Sequence, residues 1–301
     1  MILGIALALL AGVSLGCITS FASLSYNHGI EPLSLILLRG LVATLVMIGA
    51  SRVLGEPIFQ DRRGMGFALR QGIALSMVGF GYMSAVAYIS PGLAVAILYL
   101  FPMLVLVADS LRIKAIPPLM TIIAFSIALA GIITCVGVGG PIAPEGIMLA
   151  LLASLGMAAF LLISADASRH GYGGGIAVWG NIIIILISGL AILWRYFSAD
   201  VAISLPEDSI GLTATIAASL LYALGVMFSV LAVRHAPASL VALVMNIEPI
   251  ITLLAARVLV EEHLTSIQYF GMVAAVAGIM LGSWAYSGNK STLPHISGNQ
   301  T

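Results

Sequence analysis

A carboxylate and a proline interrupt an otherwise apolar stretch near the end of the chain. Glu248 and Pro249 follow Asn246 within residues 238–264, a segment long enough to form a membrane span. An acidic residue at the centre of such a helix costs roughly 2.5–3.5 kcal/mol, whereas each Leu, Ile or Val returns about 0.3–0.6 kcal/mol. The segment can therefore still insert. Because loss of water disfavours the charged form of a carboxyl, Glu248 is the best candidate for proton coupling or for binding a substrate amine.

Pro249 predicts a polar cavity beside Glu248. Proline has no N–H and its ring crowds the carbonyl four residues earlier, so the carbonyl of Met245 loses its helical partner. Unpaired backbone at membrane depth is tolerated only against protein or a water-filled cavity. Glu248 could alternatively bond to this freed backbone or pair with Arg39.

Arg39 is the second ionisable residue within a predicted span. It lies seven residues into the segment 33–54, about 10 Å below the membrane boundary at 1.5 Å per residue. A cation at that depth must face the bundle interior, extend to the interface or form a pair. We expect Arg39 to contact either an anionic substrate group or Glu248.

Other polar residues in the spans are weaker candidates for lining a cavity. Asn181 lies seven residues into its span, as Arg39 does, and could donate to substrate or join two helices. The remaining candidates could equally be packing residues; they are Asn246, Tyr82, Tyr99 and Trp179.

Composition places the chain among integral membrane proteins. Hydrophobic residues make up 61%, charged residues 8%, and the mean hydropathy is +1.15. Net charge is zero without a basic or acidic block, which argues against a nucleic-acid partner. No HExxH, P-loop or GxGxxG motif indicates a metal, ATP or dinucleotide, so no cofactor is expected. Cys17 and Cys135 have no zinc or disulfide spacing and are expected to be packing residues.

Apolar windows between turn signals predict an all-α protein with ten transmembrane helices and a disordered tail at 287–301. The basic residues favour one side of the membrane, since the opposite side holds only Arg195 and Arg257. The positive-inside rule therefore places both termini in the cytoplasm. The predicted spans are 2–25, 33–54, 70–89, 91–111, 118–138, 146–165, 175–194, 210–233, 238–258 and 266–286.

The two halves of the chain share a pattern. Aligning Pro102 with Pro249 matches the fourth span to the ninth, and each has a proline near its middle. The predicted repeats cover 1–138 and 146–286, with five spans each. Because five is odd, the second repeat must enter the membrane from the opposite face. Interrupted helices at matching places in inverted repeats indicate a transport site at the repeat interface.

The stretch from Pro237 to Gly282 resembles the second repeat of the EamA branch of the drug/metabolite transporter superfamily. The resemblance rests on Glu248-Pro249, on Glu262-His263-Leu264-Thr265 and on a Gly-rich tenth span. The first half resembles the same module through Arg39, Tyr88-Ile89-Ser90-Pro91 and Phe101-Pro102. It departs from that module at Asp109-Ser110, where the family usually has Gly-Glu, and Phe101 stands where the second copy has Glu248.

The resemblance implies ten helices around a central path and movement of small metabolites, often amino acids and frequently outward. We therefore expect a secondary transporter in the cell membrane, the inner membrane in a bacterium, with proton or ion coupling. A channel or a structural membrane protein leaves Glu248 unexplained. An intramembrane enzyme needs a nucleophile and base, or metal ligands, at one depth, and the sequence shows none. Glycine pairs at Gly12/Gly16 and Gly278/Gly282 predict close helix packing, within a monomer or a homodimer.

Overall fold

The computed structural model describes residues 1–137, 143–199, 204–259 and 264–288. Within these ranges the chain is helical and has no strand, as the composition predicts. The predicted tail and the pair Glu262-His263 lie largely or wholly outside the described residues. The helices are α1 (Ile2–Asn27), α2 (Pro32–Val53), α3 (Arg62–Ala85), α4 (Pro91–Leu98), α5 (Phe101–Ile113), α6 (Leu119–Val136), α7 (Pro144–Arg169), α8 (Gly174–Ala199), α9 (Ser209–His235), α10 (Ala238–Met245), α11 (Glu248–Leu259) and α12 (Ser266–Gly288).

Nine helical segments of the described chain are long and apolar enough to cross a membrane. They include α4 with α5 as one span and α10 with α11 as another. The predicted third span, 70–89, differs most from the structure. Its helix, α3, begins at Arg62 because Asp61 accepts a hydrogen bond from the N–H of Gly64 at 2.7 Å. This earlier start adds arginines to the helix, and α3 is not among the nine apolar segments.

Local signals explain where most helices begin. Pro32, Pro91 and Pro144 are the first residues of their helices, where the missing N–H costs nothing. Asp208 caps α9 by accepting from the N–H of Gly211 at 2.8 Å. The two arginines assigned to the less basic side both lie in helices, Arg195 in α8 and Arg257 in the last turn of α11. The predicted end of the seventh span at residue 194 is therefore too early.

The fourth and ninth spans are each divided in two, as the paired prolines predict. Pro102 and Pro249 are the second residues of α5 and α11. Before Pro249, Asn246 and Ile247 donate to carbonyls only three residues earlier, so the helix tightens and then ends. All residues of α10 are buried, which makes this short helix the centre of the bundle.

Helices at equivalent places in the two halves pack side by side in opposite directions. In the pair α6 and α12, Gly131 packs on Ala275 while Gly278 packs on Ala128. Contacts between α2 and α8 show the same reversal, because Gly40 meets Ile185 whereas Ser51 meets Gly174. Likewise, α1 packs on α9 and α3 packs on α7. Helices α1 and α7 hold equivalent places in the two halves, as do α3 and α9, so these two contacts are equivalent.

The first and last described helices share one end of the bundle. Gly4 of α1 packs on Ala236, and Tyr286 of α12 donates a hydrogen bond to Ser239 at 2.7 Å. This end also carries Arg52, Arg62, Arg112, Arg169 and Arg234, and we call it the basic end.

Candidate functional site

Glu248 is the first residue of α11, directly after the break in the ninth span. Its side chain is half-buried. The hydroxyl of Tyr99, at the matching break between α4 and α5, lies within hydrogen-bonding reach of the carboxyl group. Tyr82 of α3 also interacts with it electrostatically. Both helix breaks therefore contribute to one polar site.

Two glycines of α1 allow the break to approach this helix. A methyl group on Gly12 would overlap the side chain of Ile247, and one on Gly16 would come within 2.6 Å of the Glu248 carbonyl. Thr252 then donates a hydrogen bond to the carbonyl of Gly16 at 3.0 Å. This pair makes an intramolecular contact that positions Glu248.

Arg39 lies against an aromatic ring and not against a carboxylate. Its guanidinium carbon is 4.8 Å from the ring centroid of Tyr222, a cation–π distance. Its Nη2 atom lies beside Gly79 of α3, where a side chain would reduce the available space. The buried Nε atom has no hydrogen-bond partner. The ion pairs found in the described part of the chain include neither Arg39 nor Glu248.

Tyrosine side chains connect the two charged residues. Tyr26 at the end of α1 interacts electrostatically with Arg39, and Tyr82 interacts with both Tyr26 and Glu248. Tyr26 and Tyr82 thus relate Arg39 to Glu248 through electrostatic interactions. We call Tyr26, Tyr82, Tyr99 and Tyr222 the tyrosine cluster.

The other predicted candidates lie elsewhere or are sealed in the core. Asn181 is fully buried and donates to the carbonyl of Ala177 at 2.8 Å, while its Oδ1 has no partner. Trp179 donates to the carbonyl of Ile58 at 3.0 Å, in the loop at the basic end. Asn246 is 2% exposed beside Glu248 in the break, and its Oδ1 also has no partner.

The first break differs chemically from the second. Phe101 occupies the position that corresponds to Glu248, is buried, and has its ring centroid 5.8 Å from that of Tyr99. Pro102 therefore divides an apolar helix, whereas Pro249 divides a helix that carries an acid. The polar chemistry of the site is asymmetric.

Sequence reasoning missed Tyr26, Tyr222 and Gly79. Tyr26 falls just outside the predicted first span, 2–25, and nothing in the hydropathy of α9 distinguishes Tyr222 from a packing aromatic. A tyrosine inside an apolar span offers a weak signal, because its hydroxyl requires a polar partner when buried. Elsewhere among the described residues, no group of three or more His, Cys, Asp or Glu side chains could hold a metal ion.

Comparison with known proteins assigns the chain to a family. The sequence profile of the EamA-like transporter family matches residues 2–137 and, a second time, residues 144–284. The chain belongs to the EamA-like transporter family. The resemblance noted in the sequence is thus confirmed, and the protein is a multi-pass membrane transporter.

Structural comparison gives the same fold for this EamA-like transporter. A solved structure titled "Crystal structure of protein" superposes with a TM-score of 0.74, over 92% of this chain and 97% of its own. Its sequence identity of 17% shows similarity of fold alone. No curated protein sequence matches the chain.

Proposed function

We propose that this EamA-like chain is a secondary transporter that moves small zwitterionic metabolites, such as amino acids, outward across the cell membrane. The observation that carries the proposal is that Arg39 and Glu248 each interact with members of the tyrosine cluster and do not form an ion pair with each other. A buried charge without a partner is costly, so each is expected to meet an opposite charge during the transport cycle.

In this proposal the substrate supplies both missing partners. The guanidinium of Arg39 holds a carboxylate through charge-assisted hydrogen bonds. Glu248 holds the substrate amine, and the hydroxyl of Tyr99 orients the carboxyl group. The aromatic faces of the tyrosine cluster then surround the organic part of the substrate.

Movement by alternating access between two inverted repeats is supported by the helix pairing. Equivalent helices α2 and α8 run in opposite directions, as do α6 and α12. The broken helices of both repeats meet at the same site, an arrangement suited to a carrier with one central binding site. Two homologous halves can then rock around the site to open either end in turn.

Orientation follows from the charges at the basic end. We propose that this end, with both chain termini, faces the cytoplasm of a bacterial cell and that the membrane is the inner one. The two predicted repeats, 1–138 and 146–286, then have opposite orientations in the membrane. Glu248 is the group proposed to take up a proton when the site is empty, so that a proton gradient drives transport.

Counterflow in vesicles containing the purified full chain tests the proposal. Vesicles are loaded with unlabelled alanine, leucine or phenylalanine and diluted into the same amino acid carrying a radiolabel. We expect saturable accumulation of label, and inhibition by the zwitterion but not by the matching amine or carboxylic acid alone. Ohmic conductance without counterflow, or equal transport of the amine and the acid, would overturn the proposal.

Glu248→Gln separates coupling from binding. In this variant we expect counterflow to persist at reduced affinity, because exchange needs no net proton movement. Accumulation driven by a pH gradient should disappear. A Glu248→Gln protein whose gradient-driven rate equals that of the parent excludes the coupling role.

A further inference from the structure

Glu56 forms an ion pair that joins three separate parts of the chain. It lies in the loop between α2 and α3, and its carboxylate receives both arms of the Arg234 guanidinium from the last turn of α9. The longer of these contacts, from Nη2 to Oε2, is 3.2 Å. The backbone N–H of Gly174, the first residue of α8, donates to the same carboxylate. One side chain therefore ties together the basic ends of α2, α8 and α9.

This pair is the least exposed of the ion pairs that the described ranges contain. The side chains of Arg234 and Glu56 are 20% and 19% exposed, whereas in the other pairs each partner is at least 27% exposed. Burial by itself would raise the pKa of Glu56, but the hydrogen bonds from Arg234 and Gly174 outweigh it and lower the pKa. The Glu56 carboxyl group is thus charged near neutral pH.

A mostly apolar cavity adjoins the pair, and Glu56, Gly174 and Arg234 are among its lining residues. Its walls come from the same three helices and include Met47 of α2, Ala177 of α8 and Val230 of α9. Gly174 also packs on the hydroxyl of Ser51, so the start of α8 fits closely against the end of α2. If these three helices moved apart, a path into the bundle would open. This movement would first have to break the contacts of Glu56 with Arg234 and Gly174.

The equivalent place at the opposite end has a weaker connection. There the start of α2 is held by a neutral side chain, since the N–H of Glu31 donates to the hydroxyl of Ser204 at 2.6 Å. The nearby pair of Arg195 with Glu31 has a 3.4 Å contact and partners that are 38% and 40% exposed. Solvent-exposed pairs of this kind contribute little to stability.

We propose that Glu56, Arg234 and the N–H of Gly174 form an ionic latch that holds the basic end of the transporter closed and breaks whenever that end opens. The latch rests on the proposed alternating access. Among the described residues of the opposite end, the ion pairs are all more exposed than that of Glu56 with Arg234, so the latch biases the empty carrier toward closure at the basic end. The closed state of the basic end is thereby more stable than the closed state of the opposite end, although the two repeats have the same fold.

Thiol labelling of the full chain in membranes tests the latch. A cysteine at Ala177, which is buried and lines the same cavity as the pair, reports opening through its rate of reaction with a small methanethiosulfonate reagent applied to the basic end. The same protein without the added cysteine measures the background from Cys17 and Cys135. We expect Glu56→Gln and Arg234→Gln to raise the rate at least about tenfold, because losing a charge-assisted hydrogen bond shifts a two-state equilibrium by that order.

Two further variants keep the test specific. The exchange Glu56→Arg with Arg234→Glu restores opposite charges and should slow labelling again, whereas Glu31→Gln at the opposite end should leave the rate unchanged. Hydrogen exchange at residues 170–180 gives a second readout without cysteine, and Glu56→Gln should accelerate it. Parent rates in Glu56→Gln by both methods would overturn the latch.

Transport is measured separately, so the two proposals can fail independently. If the parent catalyses counterflow while labelling does not depend on Glu56, the latch alone is wrong. If labelling depends on Glu56 but the parent transports no solute, the proposed function is wrong and the latch stands as a conformational contact.

Discussion

The backbone carbonyl of Glu248 lies directly beside Gly16 of α1, so closely that a single methyl group on Gly16 would come within 2.6 Å of the oxygen. Gly12, one turn earlier, packs on Ile247 in the same break. The position of this half-buried acid therefore depends on a helix more than two hundred residues away in sequence. A glycine pair that the sequence presents as a packing motif thus contacts the candidate functional site.

Replacing Gly16 with Ala should displace the break and impair transport. Overpacking a close helix contact costs about 1–3 kcal/mol, so we expect a transport rate reduced at least about fivefold, with the protein still inserted. Counterflow and membrane content are measured together. Gly49→Ala is the matched control, because no atom lies within 4 Å of the added methyl group. Equal loss in both variants would refute a specific role for Gly16.

Replacing Arg39 with Gln should abolish transport while leaving membrane insertion intact. The Arg39→Lys variant should retain little transport. Lys keeps the charge but lacks the planar fork that binds a carboxylate through two hydrogen bonds. A hydrogen bond to a charged group contributes about 1.5–3 kcal/mol, which predicts at least about tenfold loss of substrate affinity. Arg195→Gln, at a surface pair, is the control. Full activity in Arg39→Gln would end this assignment.

Tyr222 should act through its ring and not through its hydroxyl. Tyr222→Phe keeps the aromatic face beneath Arg39 and is expected to transport nearly as the parent does. Tyr222→Leu removes a contact that contributes about 0.5–2 kcal/mol, so apparent affinity should fall about 2- to 30-fold. Saturation curves of counterflow distinguish the two. A larger loss in the Phe variant than in the Leu variant would contradict the cation–π role.

The contribution of Glu56 to stability should depend on pH only under acidic conditions. Hydrogen bonds from Arg234 and Gly174 lower its pKa against the opposing effect of burial. A lowered folded-state pKa means that the stabilisation is complete above the ordinary value of about 4.3 and disappears as pH falls through the lowered pKa. The difference in melting temperature between parent and Glu56→Gln should therefore stay constant from neutral pH to about 5. A difference that shrinks between pH 8 and pH 6 would show that another group controls the pair.

Local sequence features predicted the helices and their interruptions well. Hydropathy and proline positions are properties of a few neighbouring residues, so the breaks before Pro102 and Pro249 could be located without the fold. The third span was placed too late because its first turns contain arginines, and a hydropathy window does not register the cap at Asp61. The family resemblance rested on the same local patterns and is confirmed over both halves.

Contacts between distant segments were not predictable in this way. Glu56 and Arg234 are separated by 178 positions and each belongs to an ordinary polar loop or helix end. The same holds for Tyr222, which the fold places beneath Arg39.

The sequence by itself determined that this chain inserts in a membrane, where its helices begin, and which two of its spans are broken, because transfer free energy and proline geometry act on short stretches. Only the tertiary structure decided that Arg39 faces a tyrosine instead of Glu248, and that Glu56 pairs with Arg234 at the basic end. Those outcomes depend on how helices from both halves pack, and close packing is set by pairs of residues that no local pattern connects.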